Sequence, residues 1–568
     1  MIKNLHLINY RCFEDTKLTF RKISVLVGKN NAGKSSLVEA LRMVALALRK
    51  SQHTTYKNLP EEFGLPIRER GFRLEVEKLK IDLRGIIYKY GETIARIEAS
   101  FEEDYLLYIY VNTEYAFAVF HNKNGKCITN KEQALKICNE KVSILPQIGL
   151  IKENERKLAN ETIEKERETY LSSRHFRNEV FNYRKECWDD FVELAQKTWK
   201  GLRVHDIEYF LEDDLMRLFI SDSDFYAEIG LMGSGLQMWL QIMWFLARTK
   251  TNTTVILDEP DVYMHPDLQR KLIRIVKSRY PQVIIATHSI EMISEVDPSG
   301  ILTIDKRKRR LSYASDMEVV QNIIDDMGEV NNLSLVRLGN AKKCVFVEGK
   351  DLKILSKIAE VLFGSESESL ETLPNVSLGG FHNLREAYGT AKLFEKETNG
   401  MIKCICILDS DYFPRDLILK EYENAENNKL HIHIWERKEI ENYLIEPTVL
   451  FRLSQMPADK YDCFIKILEQ LVDQFKERVF DQYAEHIQRY RKTNVSEANK
   501  EARIFLDGHW RGLTKKIKLV GGKELLKEIN KWFKKEFRVQ LSVPKIIAEF
   551  RPEEFDEELR TVINMLVS

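Results

Sequence analysis

The segment Gly28-Lys29-Asn30-Asn31-Ala32-Gly33-Lys34-Ser35 constrains this chain more than any other stretch. It satisfies GxxxxGK[ST] in full, follows the apolar run KISVLVG and opens the amphipathic run LVEALRMVALALRK. Strand, glycine-rich loop and helix thus come in the order that a phosphate-binding turn requires. Glycines let backbone N–H groups close around phosphates, Lys34 brings a point charge to the β and γ oxygens, and the Ser35 hydroxyl suits a Mg²⁺ shell. Gly28, Asn30, Asn31, Gly33, Lys34, Ser35 and Ser36 are the expected contacts of ATP, with Ser35 also a metal ligand.

Two later strands serve the same chemistry. Thr254-Val255-Ile256-Leu257 ends in Asp258-Glu259-Pro260, as a buried central strand delivering acids to its carboxyl end would. Asp258 suits the Mg²⁺ shell, and Glu259 suits polarising the attacking water. Val283-Ile284-Ile285-Ala286-Thr287 ends at His288, a position from which an imidazole can reach a γ-phosphate. Upstream, Gly233-Ser234-Gly235-Leu236-Gln237 opens an apolar helix whose first N–H groups can grip an anion.

Loop, acidic strand and histidine strand in this order resemble those of ABC-type ATPases. The resemblance implies that Asp261 is the D-loop acid and His288 the switch residue. It also implies that Ser234 and Gly235 complete a partner's nucleotide site, hence a homodimer or higher even oligomer. The signature departs from LSGGQ, and residues 51–220 contain no recognisable Q-loop glutamine.

A second set of acids follows residue 340. The strand Cys344-Val345-Phe346-Val347 ends in Glu348-Gly349, with Asp351 beyond. Ile405-Cys406-Ile407-Leu408 ends in Asp409-Ser410-Asp411, and the run from His431 to Trp435 precedes Glu436, Glu439 and Glu441. Tips of strands in one parallel sheet lie side by side, so these carboxylates are expected to converge. Acids that close raise one another's pKa unless divalent cations neutralise them. Oxygen ligands favour Mg²⁺ or Mn²⁺ over zinc, and two such ions about 4 Å apart can clamp a phosphodiester.

The order EG, DxD and a later acidic patch resembles a Toprim domain. An ABC-type ATPase ahead of it resembles the OLD (overcoming lysogenization defect) family of nucleases over most of the chain. The resemblance implies that Glu348 is a general base or metal ligand, that Asp351, Asp409 and Asp411 bind metal, and that Glu439 and Glu441 are the later acids, with Glu436 as runner-up. It implies a late lysine that stabilises transition-state charge, assigned to Lys523 in GGKELL. It further implies a DNA substrate and a place in anti-phage defence, as in Gabija-like systems or retron effectors, with a defence-system protein or nucleic acid as partner.

At 568 residues the chain calls for roughly two to four units. The expected α/β organisation is an ABC-type ATPase domain at 1–338 with an inserted lobe at about 51–220, then a Rossmann-like Toprim core at 339–450. A helical insertion at 451–510 and a C-terminal return to Toprim or basic cap at 511–568 complete it. The runs KLKIDL and YLLYIYV in the lobe read as strands, and Ala159 to Trp199 as charged helix too short for long coiled-coil arms. Lys306 to Arg310 reads as a solvated hairpin turn.

Lys and Arg (87) balance Asp and Glu (87), so no global field draws the chain to DNA or a membrane and any such contact must be local. From Arg489 to Arg538 there are 15 Lys and Arg against 6 Asp and Glu, interleaved with Trp510, Trp532 and Phe533. That is either a surface that holds phosphates and stacks bases or a solvated helical face. No apolar run reaches the ~18 residues of a membrane span and Met1 to Phe20 lacks a signal-peptide pattern, so a cytoplasmic protein is expected. The eight cysteines form no CxxC pair and read as buried thiols.

The leading reading is an ATP-regulated, metal-dependent DNA endonuclease or nickase. The alternative is a DNA-repair or structural-maintenance-type ATPase scaffold with an inert Toprim, which the intact Glu348, Asp409 and Asp411 argue against. Transport, the third ABC function, finds no membrane segment to support it.

Overall fold

The apolar run ahead of the phosphate loop forms the strand Ile23–Val27, whose Val25, Leu26 and Val27 are fully buried, as the interior of a parallel sheet demands. In the computed structural model, which describes all residues except 65, 67–68, 80, 167–171, 327–331, 350, 364–369 and 568, this strand lies inside a six-stranded sheet. Gln282–Ala286 pairs with it in parallel on one side and Ile301–Thr303 on the other. Thr254–Asp258 and Val142–Ile144 follow beyond Gln282–Ala286. Only Ser312–Tyr313, at the other edge, is antiparallel. Loop 28–35, Asp258 and His288 therefore stand at one carboxyl edge.

The chain divides into two compact units, Met1–Leu333 and Ser334–Ser568. In the first, a seven-stranded antiparallel sheet runs in the order Phe13–Thr19, Ile2–Tyr10, Ala95–Phe101, Leu106–Val111, Ala116–His121, Arg70–Leu74, Lys57–Asn58. Helix Lys34–Ser51 shares one hydrophobic core with residues of both sheets, which is why its buried positions spread over a wide face. A third sheet joins Glu155–Arg156, Leu215–Asp222 and Leu202–Phe210, with Phe225–Glu228 added on Leu215–Asp222.

Residues 51–220 are thus not one inserted lobe: they supply strands to all three sheets, including the edge strand of the nucleotide-binding sheet. The run KLKIDL is not a strand. Its flanks form the 3₁₀ turns Val76–Leu79 and Leu83–Gly85, and Lys80 lies outside the described residues. The charged stretch forms the helices Asn160–Glu166 and Phe176–Thr198, separated by residues of which 167–171 are not described. Lys306 to Arg310 does join two antiparallel strands, but it is also stitched to Phe13–Thr19: Lys17 N–H donates to Arg309 O at 2.8 Å and Leu311 N–H to Lys17 O at 3.0 Å.

The second unit holds a four-stranded parallel sheet in the order Asn375–Ser377, Lys343–Val347, Lys403–Leu408, Leu430–Ile434. One face packs on Leu384–Thr398 and Arg415–Asn427, the other on Asp351–Phe363 and the C-terminal helices. Among the described residues no strand follows Ile434. The helices expected as an insertion run on into the C-terminal ones, which add no strand but pack back on the sheet through Leu559, Val562 and Ile563. Phe533 is fully buried and Trp532 packs against the same core, because Leu525, Ile529, Trp532 and Phe533 fall on one face of helix Gly522–Glu536. The Phe533 ring is therefore closed to bases, which corrects the expectation for that residue, while Trp532 and Trp510 are half-buried against the same core.

All eight cysteines are free, but only Cys138, Cys344, Cys404 and Cys406 are buried; Cys463 is exposed. Among the described residues no helix is long and apolar enough to cross a membrane.

Candidate functional site

The phosphate loop is shaped by one glycine above the others. Gly33 adopts φ +110°, and a Cβ there would meet Phe13 Cζ at 2.6 Å and Cys12 Sγ at 2.9 Å. The ammonium of the buried Lys34 folds over the loop, donating to Gly28 O at 2.7 Å and Lys29 O at 3.3 Å. Burial pushes its pKa down, and the carboxylate of Glu259 opposes that shift, so Glu259 lies within electrostatic reach. Asn30, Asn31 and Ser35 are exposed around it, and Ser36 faces Cys12, whose thiol is 3.8 Å from the hydroxyl.

Glu259 sits at φ +45°, a left-handed conformation costing about 1–3 kcal/mol in a residue with a Cβ, and its N–H donates to Ala286 O at 2.8 Å. Asp258 Oδ2 accepts from an Arg42 guanidinium N–H at 3.2 Å. Asp261 Oδ1 accepts from Thr287 Oγ1 at 2.7 Å, and Thr287 Oγ1 accepts the N–H of Ser289 at 2.9 Å. Ser289 Oγ in turn donates to Gln269, whose amide donates to Met264 O at 2.8 Å. His288 is therefore flanked by two residues tied to the turn that follows Glu259. Ser234 is exposed at the start of helix Ser234–Arg248, and Gly235 lies against Tyr263: a Cβ there would be 3.1 Å from Tyr263 O.

The structure also brings up a residue that the sequence reading passed over. Val142–Ile144 pairs in parallel with the acidic strand, Ile144 opposite Ile256, and Leu145 N–H donates to Ile256 O at 2.9 Å. Gln147, exposed just beyond, stands past the same sheet edge as Asp258. The strand is three residues long and followed by Pro146, too short for periodicity to reveal.

In the second unit the acids converge as strand tips should. Glu348 ends Lys343–Val347, Asp409 and Asp411 follow the neighbouring Lys403–Leu408, and Glu439 and Glu441 follow Leu430–Ile434. Burial pushes Glu348 up to about 6, Glu441 up to about 7 and Asp409 up to about 9. Neighbouring carboxylates add to each shift, and the Lys523 charge works against all three. Asp351 and Asp411 are raised for the same first reason. Glu436 is exposed, and its N–H donates to Glu558 Oε1 at 2.9 Å.

Lys523 reaches this edge from the start of helix Gly522–Glu536. Its N–H donates to Glu439 Oε2 at 3.0 Å and its ammonium is 3.8 Å from Glu441 Oε1. Burial lowers its pKa but is outweighed by Glu441, Asp409, Glu439 and Asp351, so the net shift is upward. Asn442, which the sequence reading did not single out, fastens the two segments, donating to Ile517 O at 2.6 Å and Val520 O at 2.8 Å.

Among the described residues, no three of these side chains are drawn tightly enough together to enclose an ion. Asp351 Oδ2, Asp409 Oδ1 and Glu441 Oε2 are nonetheless buried without a hydrogen-bond partner. Leaving a buried polar atom unmet costs about 1–3 kcal/mol. Hard oxygen donors left over in this way fit a divalent cation of the Mg²⁺ or Mn²⁺ kind.

Two family profiles match the first unit. Residues 1–198 match the family described as "AAA ATPase domain", and residues 145–294 match "AAA domain, putative AbiEii toxin, Type IV TA system". These stretches are AAA-type ATPase domain sequence. No curated protein matches the chain. Among solved structures, the SMC head bound to the C-terminal winged-helix domain of ScpA is 15% identical, with 56% of this chain and 99% of that chain covered and a TM-score of 0.31. The recombination mediator RecF with ATPγS is 10% identical, with 55% and 98% covered and a TM-score of 0.34.

Proposed function

We propose that this chain is an ATP-hydrolysing, divalent-metal-dependent DNA endonuclease or nickase. The observation that carries the reading is the trio of buried, unpartnered carboxylate oxygens on Asp351, Asp409 and Glu441, at a sheet edge shared with Glu348, Asp411 and Lys523. A solvated acidic turn has no need to bury such oxygens.

At the nucleotide site, Lys34 and the loop N–H groups hold the phosphates, Ser35 and Asp258 would hold Mg²⁺, and Glu259 orients water. Gln147 takes the place of the missing Q-loop residue, and His288 senses the γ-phosphate. Ser234 and Gly235 serve a partner's nucleotide, so the working assembly is a homodimer or a higher even oligomer.

At the second edge, Asp351, Asp409, Asp411, Glu439 and Glu441 would hold Mg²⁺ or Mn²⁺, which supplies Lewis-acid polarisation of a phosphodiester when bound. Glu348, raised to about 6, is poised to take a proton from water near neutral pH. Lys523 counters charge developing on phosphate oxygens. The order of acidic tips supports a Toprim core over 339–450 in an OLD-type nuclease, and with it a role in anti-phage defence.

The test is purified protein on supercoiled, linear and single-stranded DNA with Mg²⁺ or Mn²⁺, with and without ATP. Metal-dependent nicked or linear product, absent from Asp409→Ala, is expected. No cleavage by the unaltered chain under any of these conditions leaves the ATPase scaffold as the reading.

A further inference from the structure

We propose that Phe381, Phe413, Tyr490 and His486 form a stacking subsite for one unpaired nucleobase beside the carboxylate edge. The inference rests on the nuclease reading and gives that site a substrate form: a strand with a base displaced from its pair.

The cluster is built by the same turns that present the acids. Asp411 and Tyr412 both adopt positive φ, 37° and 61°, and Phe413 N–H donates back to Ser410 O at 2.7 Å, so the chain reverses immediately after the second acid and carries the Phe413 ring with it. Phe381 arrives from the other side on the Gly379-Gly380 loop. Gly380 has φ +127°, and a Cβ there would be 3.5 Å from Glu348 Oε1, so this loop passes over the first acid. The Phe413 centroid is 3.8 Å from that of Phe381, 4.6 Å from that of Tyr490 and 6.0 Å from that of His486.

Tyr490 and His486 lie on helix Lys476–Arg491, within electrostatic reach of Asp411. The Tyr490 hydroxyl is raised first by burial and then, against Arg489, by the charges of Asp411 and Glu348. Burial lowers the His486 pKa, with Asp411 opposing and Lys438 adding to the shift, and its Nδ1 is buried without a hydrogen-bond partner. Neither Phe413 nor Tyr490 belongs to the two hydrophobic cores of this unit, and all four rings are only partly buried. Phe381 packs on the edge of one core and carries Phe413 and Tyr490 beyond it; rings so placed beside the proposed phosphodiester site, with one polar atom unmet, have the composition of a base platform. A fully paired duplex offers no base face, so the subsite selects single strands, gaps or flipped nucleotides. Exposed Arg489 and Lys492 flank Tyr490 and suit the adjoining phosphates.

The test uses the full chain in EDTA with oligonucleotides carrying 2-aminopurine, either single-stranded or fully paired, and reads base fluorescence and affinity. Quenching of the single strand is expected. Phe413→Leu and Tyr490→Leu should each abolish it and weaken single-strand binding by about tenfold to a hundredfold, with ATP hydrolysis unchanged. Phe413→Tyr should keep the quenching. Unchanged quenching in both Leu variants, equal quenching of the fully paired probe, or its loss in Phe413→Tyr as well overturns the subsite. If plasmid is cleaved and the Leu variants bind as before, the subsite alone fails. If quenching behaves as expected but no DNA is ever cleaved, the nuclease reading alone fails.

Discussion

The backbone N–H of Asp409 donates to Glu348 Oε2 across 3.1 Å, so the tip of one strand holds the acid of its neighbour. The bond needs the Glu348 carboxylate but only the backbone at 409, so Glu348 stays anchored whatever side chain position 409 carries.

Asp409→Ala, which removes an unmet carboxylate oxygen, and Glu348→Ala, which removes the candidate base, should each reduce metal-dependent cleavage by at least about a hundredfold, the usual worth of a positioned ligand or base. ATP hydrolysis, which depends on the other unit, should stay unchanged. Ser410→Ala should keep activity, because its Oγ donates to Arg437 O at 3.0 Å instead of joining the acids. Nicked and linear plasmid are the readout, and cleavage surviving in both acid variants would move the active site elsewhere.

Lys34→Ala should abolish ATP binding or hydrolysis, since the loop loses its one buried cation. Glu259→Gln should leave binding intact while slowing hydrolysis by on the order of a hundredfold. Equal loss of nucleotide binding in Asp258→Ala and Glu259→Gln would show that the two acids do not divide the work as described.

The raised acids give stability a pH dependence of definite sign. Asp409, Glu441 and Glu348 are pushed up to about 9, 7 and 6, so folding takes up protons. Their favourable contribution is complete below the ordinary carboxylate range and is lost as pH rises through these values. In EDTA, the melting midpoint of the second unit should fall from pH 5.5 to 9, Asp409→Asn should flatten the fall, and Mg²⁺ should offset it. A midpoint that rises over this range would refute the arrangement.

Gly522 is pinned by sterics. A Cβ would lie 2.8 Å from Asn442 N, 2.9 Å from Asn442 Oδ1 and 3.0 Å from Glu441 Cβ. Gly522→Ala should destabilise the second unit by about 1–3 kcal/mol and lower cleavage, since Lys523 moves with it. Gly508→Ala, in helix Val495–His509 with nothing within 4 Å, should instead stabilise by about 0.5–1 kcal/mol. Denaturant midpoints compare the two.

The phosphate loop and the acidic strands were legible because glycine spacing and buried apolar runs are local signals. What escaped was set by distant partners. Lys523 could be picked only by likeness, since its place depends on Asn442 holding two segments together. Gln147 follows a strand that exists only because Thr254–Asp258 is there to pair with it. The alternation in KLKIDL pointed to a strand that the tertiary fold does not form. Phe533 looked like a binding aromatic because a basic composition does not say which face of a helix turns inward.

Arg42 and Asp258 bear on how the nucleotide site would fill. The guanidinium stands on the helix that Lys34 opens and already neutralises the acid to which an ion would bind. A cation binding Asp258 would displace the guanidinium, and one arriving with a triphosphate would bring an anion for it to turn to. Such a pair would favour metal and nucleotide arriving together over either alone.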